Sequence, residues 1–174
     1  MELYIVRHGV AEPRGRKEDA MRALTAHGRR ATRQAARGLL AVGCRPDQVL
    51  TSPLRRAAET ARILAEILCP EVEPQPRDSL GPGSDPAEVG RELGRGSTGA
   101  VMLVGHMPAL AGLAGWFLRA RGRVEMEFKK AGACCIGFDG APGKGAGTLL
   151  WLLQPKHLRM LADAPADRHG DNDD

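Results

Sequence analysis

Aromatic residues make up only 3% of this 174-residue chain. A protein that stacks bases on aromatic rings needs more of them. Its arginines are scattered, so the net charge of +4 does not by itself point to nucleic acid. The chain has no run of about 18 apolar residues, and no transmembrane helix is expected. Nor does it open on a basic segment, an apolar stretch and a small-residue cleavage site, so a cytoplasmic location without a signal peptide is expected. Its cysteines, Cys44, Cys69, Cys134 and Cys135, lack Cys-x-x-Cys spacing and have no histidine at ligand distance. That argues against zinc, and no metal or other cofactor is expected. All four read as reduced and mostly buried. Cys134 and Cys135 are adjacent on an expected strand, so they face opposite ways and do not pair with each other. There is no internal repeat.

What the chain does have is enough leucine, valine, isoleucine and alanine to build one core, with 43% hydrophobic and 26% charged residues. The expected organisation is a single domain over 1–162 and a disordered tail over 163–174. A strand is predicted at 2–6. Thr25 then caps a helix over 26–42, with Ala31, Ala35, Leu39 and Val42 on one face and Gly43 as its stop. A second strand is predicted at 48–51. Ser52-Pro53 opens a helix to Leu68, with serine as cap and proline at the first position. A third strand is expected at 71–75, a loop at 77–85 and a helix at 86–93. The unbroken apolar run 100–104 reads as a strand covered on both faces. A helix from Pro108 to Leu118 follows, and then strands at 132–138 and 148–153 around a glycine-rich turn. Alternating strands and helices predict an α/β fold, a three-layer α/β/α sandwich with a mostly parallel central sheet.

Chemistry-bearing residues sit where these strands end. The first strand runs into Arg7-His8-Gly9, and the 100–104 strand runs into Gly105-His106. In open α/β sheets ligands bind at the carboxyl ends of strands, so two such histidines on one sheet edge suit a site for an anion. The 48–51 strand leads to Ser52-Pro53-Leu54-Arg55-Arg56. At about 100° per residue, Arg55 shares a solvated stripe with Glu59, Arg62 and Glu66. Arg56 falls beside Thr60 and Ile63, against an apolar surface. An arginine there takes either an anionic ligand or an internal ion pair, with Asp47 or Asp19 as candidate partners.

Arg7-His8-Gly9, Ser52-Pro53-x-x-Arg56-x-x-x-Thr60 and Gly105-His106, in this order and spacing, resemble the histidine phosphatase superfamily, the phosphoglycerate-mutase-like enzymes. Asp19-x-x-Arg22-x-Leu24-Thr25-x-x-Gly28 is similar to a segment of its small phosphohistidine phosphatases. So is Leu80-x-Pro82-Gly83-x-Asp85-Pro86. The resemblance covers about residues 1–155. It implies a phosphoglycerate-mutase-like fold and a metal-independent phosphatase with His8 as nucleophile. It also implies that Arg7, Arg56 and His106 hold the phosphate oxygens, with Gly9 beside them. Arg22 would add a phosphate contact, and Asp19 would position it.

One departure bears on the substrate. Many members carry a glutamate in the segment corresponding to Arg77–Gly83, as general acid for an alkoxide leaving group. This chain has none there, and its nearest acids are Asp78, Asp85 and Glu88. A positioned acid is typically worth about 10²–10⁴-fold, yet an imidazole leaving from a phosphoramidate needs less help. The expectation is therefore a phosphohistidine-containing protein as substrate, with no nucleic acid or membrane partner and a monomeric state. Asp78 or Asp85 as a hidden acid stays open. So does a small-molecule phosphomonoesterase on the same site. A non-catalytic module that binds phosphorylated partners is the reading from a different class.

Overall fold

The structure, a computed structural model, describes residues 1–15, 18–95, 99–118 and 126–164. Six strands form one sheet: β1 (Glu2–Arg7), β2 (Gln48–Thr51), β3 (Gln75–Pro76), β4 (Ala100–Gly105), β5 (Ala133–Gly137) and β6 (Thr148–Leu153). Their spatial order is β3-β2-β4-β1-β5-β6. The pairings from β3 to β1 are parallel, while β1–β5 and β5–β6 are antiparallel. The sheet is thus mixed at one end, as a hairpin joined to the parallel part requires.

Side chains alternate across the sheet and feed two cores. Tyr4, Val6, Met102 and Cys135 face helices α1 (Ala26–Ala41), α2 (Arg55–Leu68) and α5 (Pro155–Asp163). Leu3, Ile5, Leu103 and Cys134 face α3 (Pro86–Gly94) and α4 (Ala109–Phe117). The three expected layers are present, and the adjacent cysteines do lie on opposite faces. All four cysteines are free, with Cys69 half-buried and the others buried.

Local chemistry sets the ends. Thr25 accepts a hydrogen bond from the Gly28 amide at 2.9 Å and caps α1. Gly43 follows that helix at φ +79°, a left-handed conformation glycine adopts without strain. Gly28 has a second part, since a Cβ there would collide with the Val10 carbonyl. Ser52 does not cap α2. The helix starts at Arg55, and its N-cap, Leu54, gives no side-chain bond. The third strand is not 71–75 but only Gln75–Pro76. Pro70 and Pro74 cannot donate to a ladder, and pairing starts after them. Helix α5 is an element the sequence reading did not contain. Gln154 and His157 cap its start reciprocally, Pro155 holds its first turn, and Leu158 is fully buried against α1. Residues 165–174, within the tail expected to be disordered, lie outside the described residues, as do 96–98 of the glycine-rich connection.

Candidate active site

β1 and β4 lie side by side, yet the chain leaves them toward opposite faces, to α1 from β1 and to α4 from β4. Such a point opens a crevice at the carboxyl edge of a sheet. His8 and His106 are the first residues beyond it. The His8 amide donates to the Gly105 carbonyl at 3.1 Å, and the two imidazole centroids lie 5.0 Å apart. Both rings are buried.

Hydrogen bonds fix what each ring can do. His8 Nδ1 is 2.7 Å from the Gly9 carbonyl oxygen. A carbonyl only accepts, so Nδ1 carries the proton and Nε2 keeps its lone pair. Burial lowers the His8 pKa to about 3, against a weaker upward pull from the Gly9 carbonyl; His106, Arg56 and Arg7 push it further down. The ring is therefore neutral across the physiological range. His106 is lowered to about 4, first by burial and then by Arg56. Its Nε2 meets Ser52 Oγ at 2.8 Å. Its Nδ1 is buried without a hydrogen-bond partner among the described residues, and so is Arg7 Nε.

The two arginines come from different elements, Arg7 from the end of β1 and Arg56 from the first turn of α2. Arg7 Nη1 donates to the Phe128 carbonyl at 2.6 Å. Arg56 is 5% exposed and donates to Asp19 twice, Nη1 to its carbonyl at 2.7 Å and Nη2 to its carboxylate at 2.9 Å. Asp19 also accepts from Arg22 Nη1 at 2.7 Å, and that bond is the main cause of its lowered pKa. Arg22 Nε donates to the Glu12 carbonyl at 2.8 Å. The internal partner left open for Arg56 is thus Asp19, which joins Arg56 to Arg22. Asp47 is engaged elsewhere, accepting from the Ala100 amide. Arg55 pairs with Glu59 at 2.8 Å on the exposed side, as the helical spacing predicts.

Thr60 ties this assembly together. Its hydroxyl donates to the Arg56 carbonyl at 2.7 Å and accepts from the Gly9 amide at 3.0 Å. Gly9 was expected beside the phosphate, but that bond occupies its amide. Its glycine identity serves packing, because a Cβ would press on Thr32 Oγ1. Ser52 was expected as a helix cap, and its hydroxyl instead holds His106. Proline at the next position signals a helix start in sequence and conceals this use. Of the acids left open, Asp85 caps α3 by accepting from the Ala87 amide at 3.0 Å. Both Asp85 and Asp78 are exposed. Glu92 is held by Arg77 at 2.6 Å and Ser79 at 2.7 Å.

Two buried imidazoles, each kept from protonating by burial and by Arg56 and Arg7, at a sheet's switch point, make a candidate site for a tetrahedral oxyanion. This is the build of a phosphoryl-transfer enzyme. The family model of the histidine phosphatase superfamily (branch 1) matches residues 3–80. An uncharacterized protein of Picosynechococcus sp. is 36% identical over 180 residues, covering 91% of this chain and 99% of the relative. The chain belongs to the histidine phosphatase superfamily. Among solved structures, the protein histidine phosphatase SixA complexed with tungstate matches at a TM-score of 0.81. It has 24% identity and covers 91% of this chain and 99% of that one. A putative phosphohistidine phosphatase SixA from Agrobacterium tumefaciens matches at 0.74 with 18% identity, over 88% and 97% of the two chains. At these identities the match concerns the fold, which is phosphoglycerate-mutase-like. Among the described residues no helix is long and apolar enough to cross a membrane, and no cluster of His, Cys, Asp and Glu could hold a metal.

Proposed function

We propose that the protein is a phosphohistidine phosphatase that hydrolyses the phosphoramidate of a phosphorelay or phosphocarrier protein. His8 Nε2 attacks phosphorus, and the substrate's N–P bond breaks. The leaving imidazole departs neutral, its other ring nitrogen having taken a proton from solvent. Water then attacks the phosphoryl group on His8 and releases inorganic phosphate. Arg7, Arg56 and His106 hold the equatorial oxygens, where the charge of the transition state is spread. An arriving dianion offsets the burial that keeps His106 neutral, so its pKa rises and its free Nδ1 can donate. Arg22 acts with Asp19 at the rim of the same site.

The observation that carries the substrate choice is the fate of the carboxylates beside the pocket. Asp85 is a helix cap, Asp78 is exposed, and Glu92 is neutralised by Arg77. An alkoxide leaving group would lack its positioned acid, whereas an imidazole leaves without one. The SixA structures, one a protein histidine phosphatase and the other a putative phosphohistidine phosphatase, support the same reading by fold. We place the enzyme in the cytoplasm, in keeping with its free thiols.

The test is a panel of phosphohistidine proteins, sugar phosphates and nucleotides scored by relative kcat/KM, together with phosphoryl trapping on His8. Phosphohistidine should lead by orders of magnitude. His8→Ala should abolish turnover and keep the fold. Full activity in that variant would overturn the mechanism, and a preference for sugar phosphates would transfer the site to small molecules.

A further inference from the structure

Each pocket arginine has a second use. Its outer nitrogens hold a piece of chain at the mouth of the site. Arg7 Nη1 holds the Phe128 carbonyl, and the Ala131 amide donates back to the Arg7 and His8 carbonyls at 3.1 and 3.3 Å. Between these ties the chain makes a tight turn. Gln154 clamps it, donating from Nε2 to the Glu127 carbonyl at 2.6 Å and accepting from the Lys129 amide at 3.0 Å. Phe128 anchors the turn in the core, and Ala131 closes it at φ +64°, a left-handed conformation unfavourable for a residue with a Cβ. This rigid, strained turn carries Lys129 and Lys130 at its tip. Both are exposed, and neither has an ion-pair partner among the described residues.

Arg56 does the same on the other side. It holds the short 3-10 turn Asp19–Met21. That lip exposes Met21, 54% accessible, and beside it Arg14, whose side chain is 88% accessible and reaches the Asp19 carboxylate at 3.9 Å. Asp19 on this lip is already matched by Arg22 and Arg56, and the field of Glu127 on the first lip falls on Arg7. Glu18 remains as an exposed acid. A small anionic substrate needs only the pocket floor. Paired lysines on one clamped turn and an exposed methionine on the other add nothing to that floor.

We propose that the two lips form a docking platform for an acidic folded protein, with Lys129 and Lys130 meeting carboxylates around its phosphohistidine and Met21 making the apolar contact. The proposal rests on the phosphohistidine reading and specifies its partner. Because the pocket's own arginines hold the lips, the platform is organised before the partner arrives, which reduces the ordering cost of association. Opposite charges here act chiefly on encounter and weaken with salt.

The test compares the full chain with Lys129→Glu/Lys130→Glu and with Arg14→Glu. Each is assayed on an acidic phosphohistidine protein and on a small phosphoramidate. At low ionic strength the double variant should lose roughly 10–100-fold in kcat/KM for the protein substrate, the lower part of what charge steering commands. The loss should sit mostly in KM and shrink toward wild type near 1 M salt, while turnover of the small substrate is kept. Arg14→Glu should give a smaller loss of the same kind. Unchanged protein turnover in the double variant would overturn the platform, and so would an equal loss on the small substrate. Salt-sensitive capture of an oligonucleotide in place of the acidic protein would overturn it as well. A wild-type chain inactive on both phosphoramidates would instead be the failure of the phosphohistidine reading itself.

Discussion

Arg55 and Arg56 are neighbours in the first turn of one helix, and replacing each by alanine separates surface charge from pocket charge. Arg55 makes one i,i+4 ion pair to Glu59, with its side chain 51% exposed. Such a pair is worth about 0.3–0.5 kcal/mol, so Arg55→Ala should change kcat/KM less than threefold or so. Arg56 is buried, bonds Asp19 at two atoms, and lowers the pKa of both imidazoles. Loss of one such preorganised donor costs about 10²–10³-fold in rate, or roughly 3–4 kcal/mol at 1.36 kcal/mol per tenfold. Arg56→Lys should fall between the two, because an ammonium keeps the charge and loses the fork. The assay is steady-state turnover of a phosphohistidine protein, paired with NMR titration of the ring protons. His106 should titrate at higher pH in Arg56→Ala, since Arg56 is its largest charge influence after burial. Equal rate losses for Arg55→Ala and Arg56→Ala would refute the reasoning, and so would an unmoved His106.

Two further outcomes follow from burial and from close approach. The fold holds His8 and His106 neutral down to about 3 and about 4, whereas the unfolded chain protonates near the ordinary value of 6.5. Unfolded chains therefore bind more protons between these limits, and stability should fall as pH drops from 6.5 toward 4, by about 1.4 kcal/mol per pH unit for each withheld proton. Urea melts should show a shallower slope in His8→Gln and His106→Gln, and an unchanged slope would contradict it. Gly38 lies where any Cβ would strike the Leu158 carbonyl. Gly38→Ala should cost about 1–3 kcal/mol by overpacking, read as a lower urea midpoint with the pocket's chemistry intact. A neutral result would mean that α5 does not pack as described.

Most of the pocket is legible in the sequence because its parts obey strong local rules. His8 and His106 end apolar strands, and Arg56 is separated from Arg55 by helical geometry alone. The bounds of α1 and β2 were equally readable, from a threonine cap, a glycine stop and a run of strand formers. What escaped depends on tertiary partners. Ser52 carries a capping signal but serves His106. Asp19 is distant from Arg56 in sequence, and only the path of the loop brings them together. Helix α5 opens on glutamine and closes its cap with a histidine, neither of which is a start signal, so Pro155 at its first position is its one local mark. Its case rests on Leu158 filling a gap that α1 leaves.

The position of β1 has a consequence for synthesis. The first strand made is not an edge of the sheet but sits between β4 and β5, whose residues emerge roughly a hundred or more positions later. The helix over α1 comes from the last part of the described chain. A growing chain therefore carries its Arg7-His8 pair, and Arg56 soon after, long before His106 and the turn at Phe128 exist. Early nascent lengths lack His106 and the partner of Arg7, and the candidate site is complete only when the carboxyl half is released from the ribosome. A chain truncated before β5 leaves β1 with one open flank, an apolar strand offered to any neighbour. Such a fragment should aggregate rather than work at reduced rate.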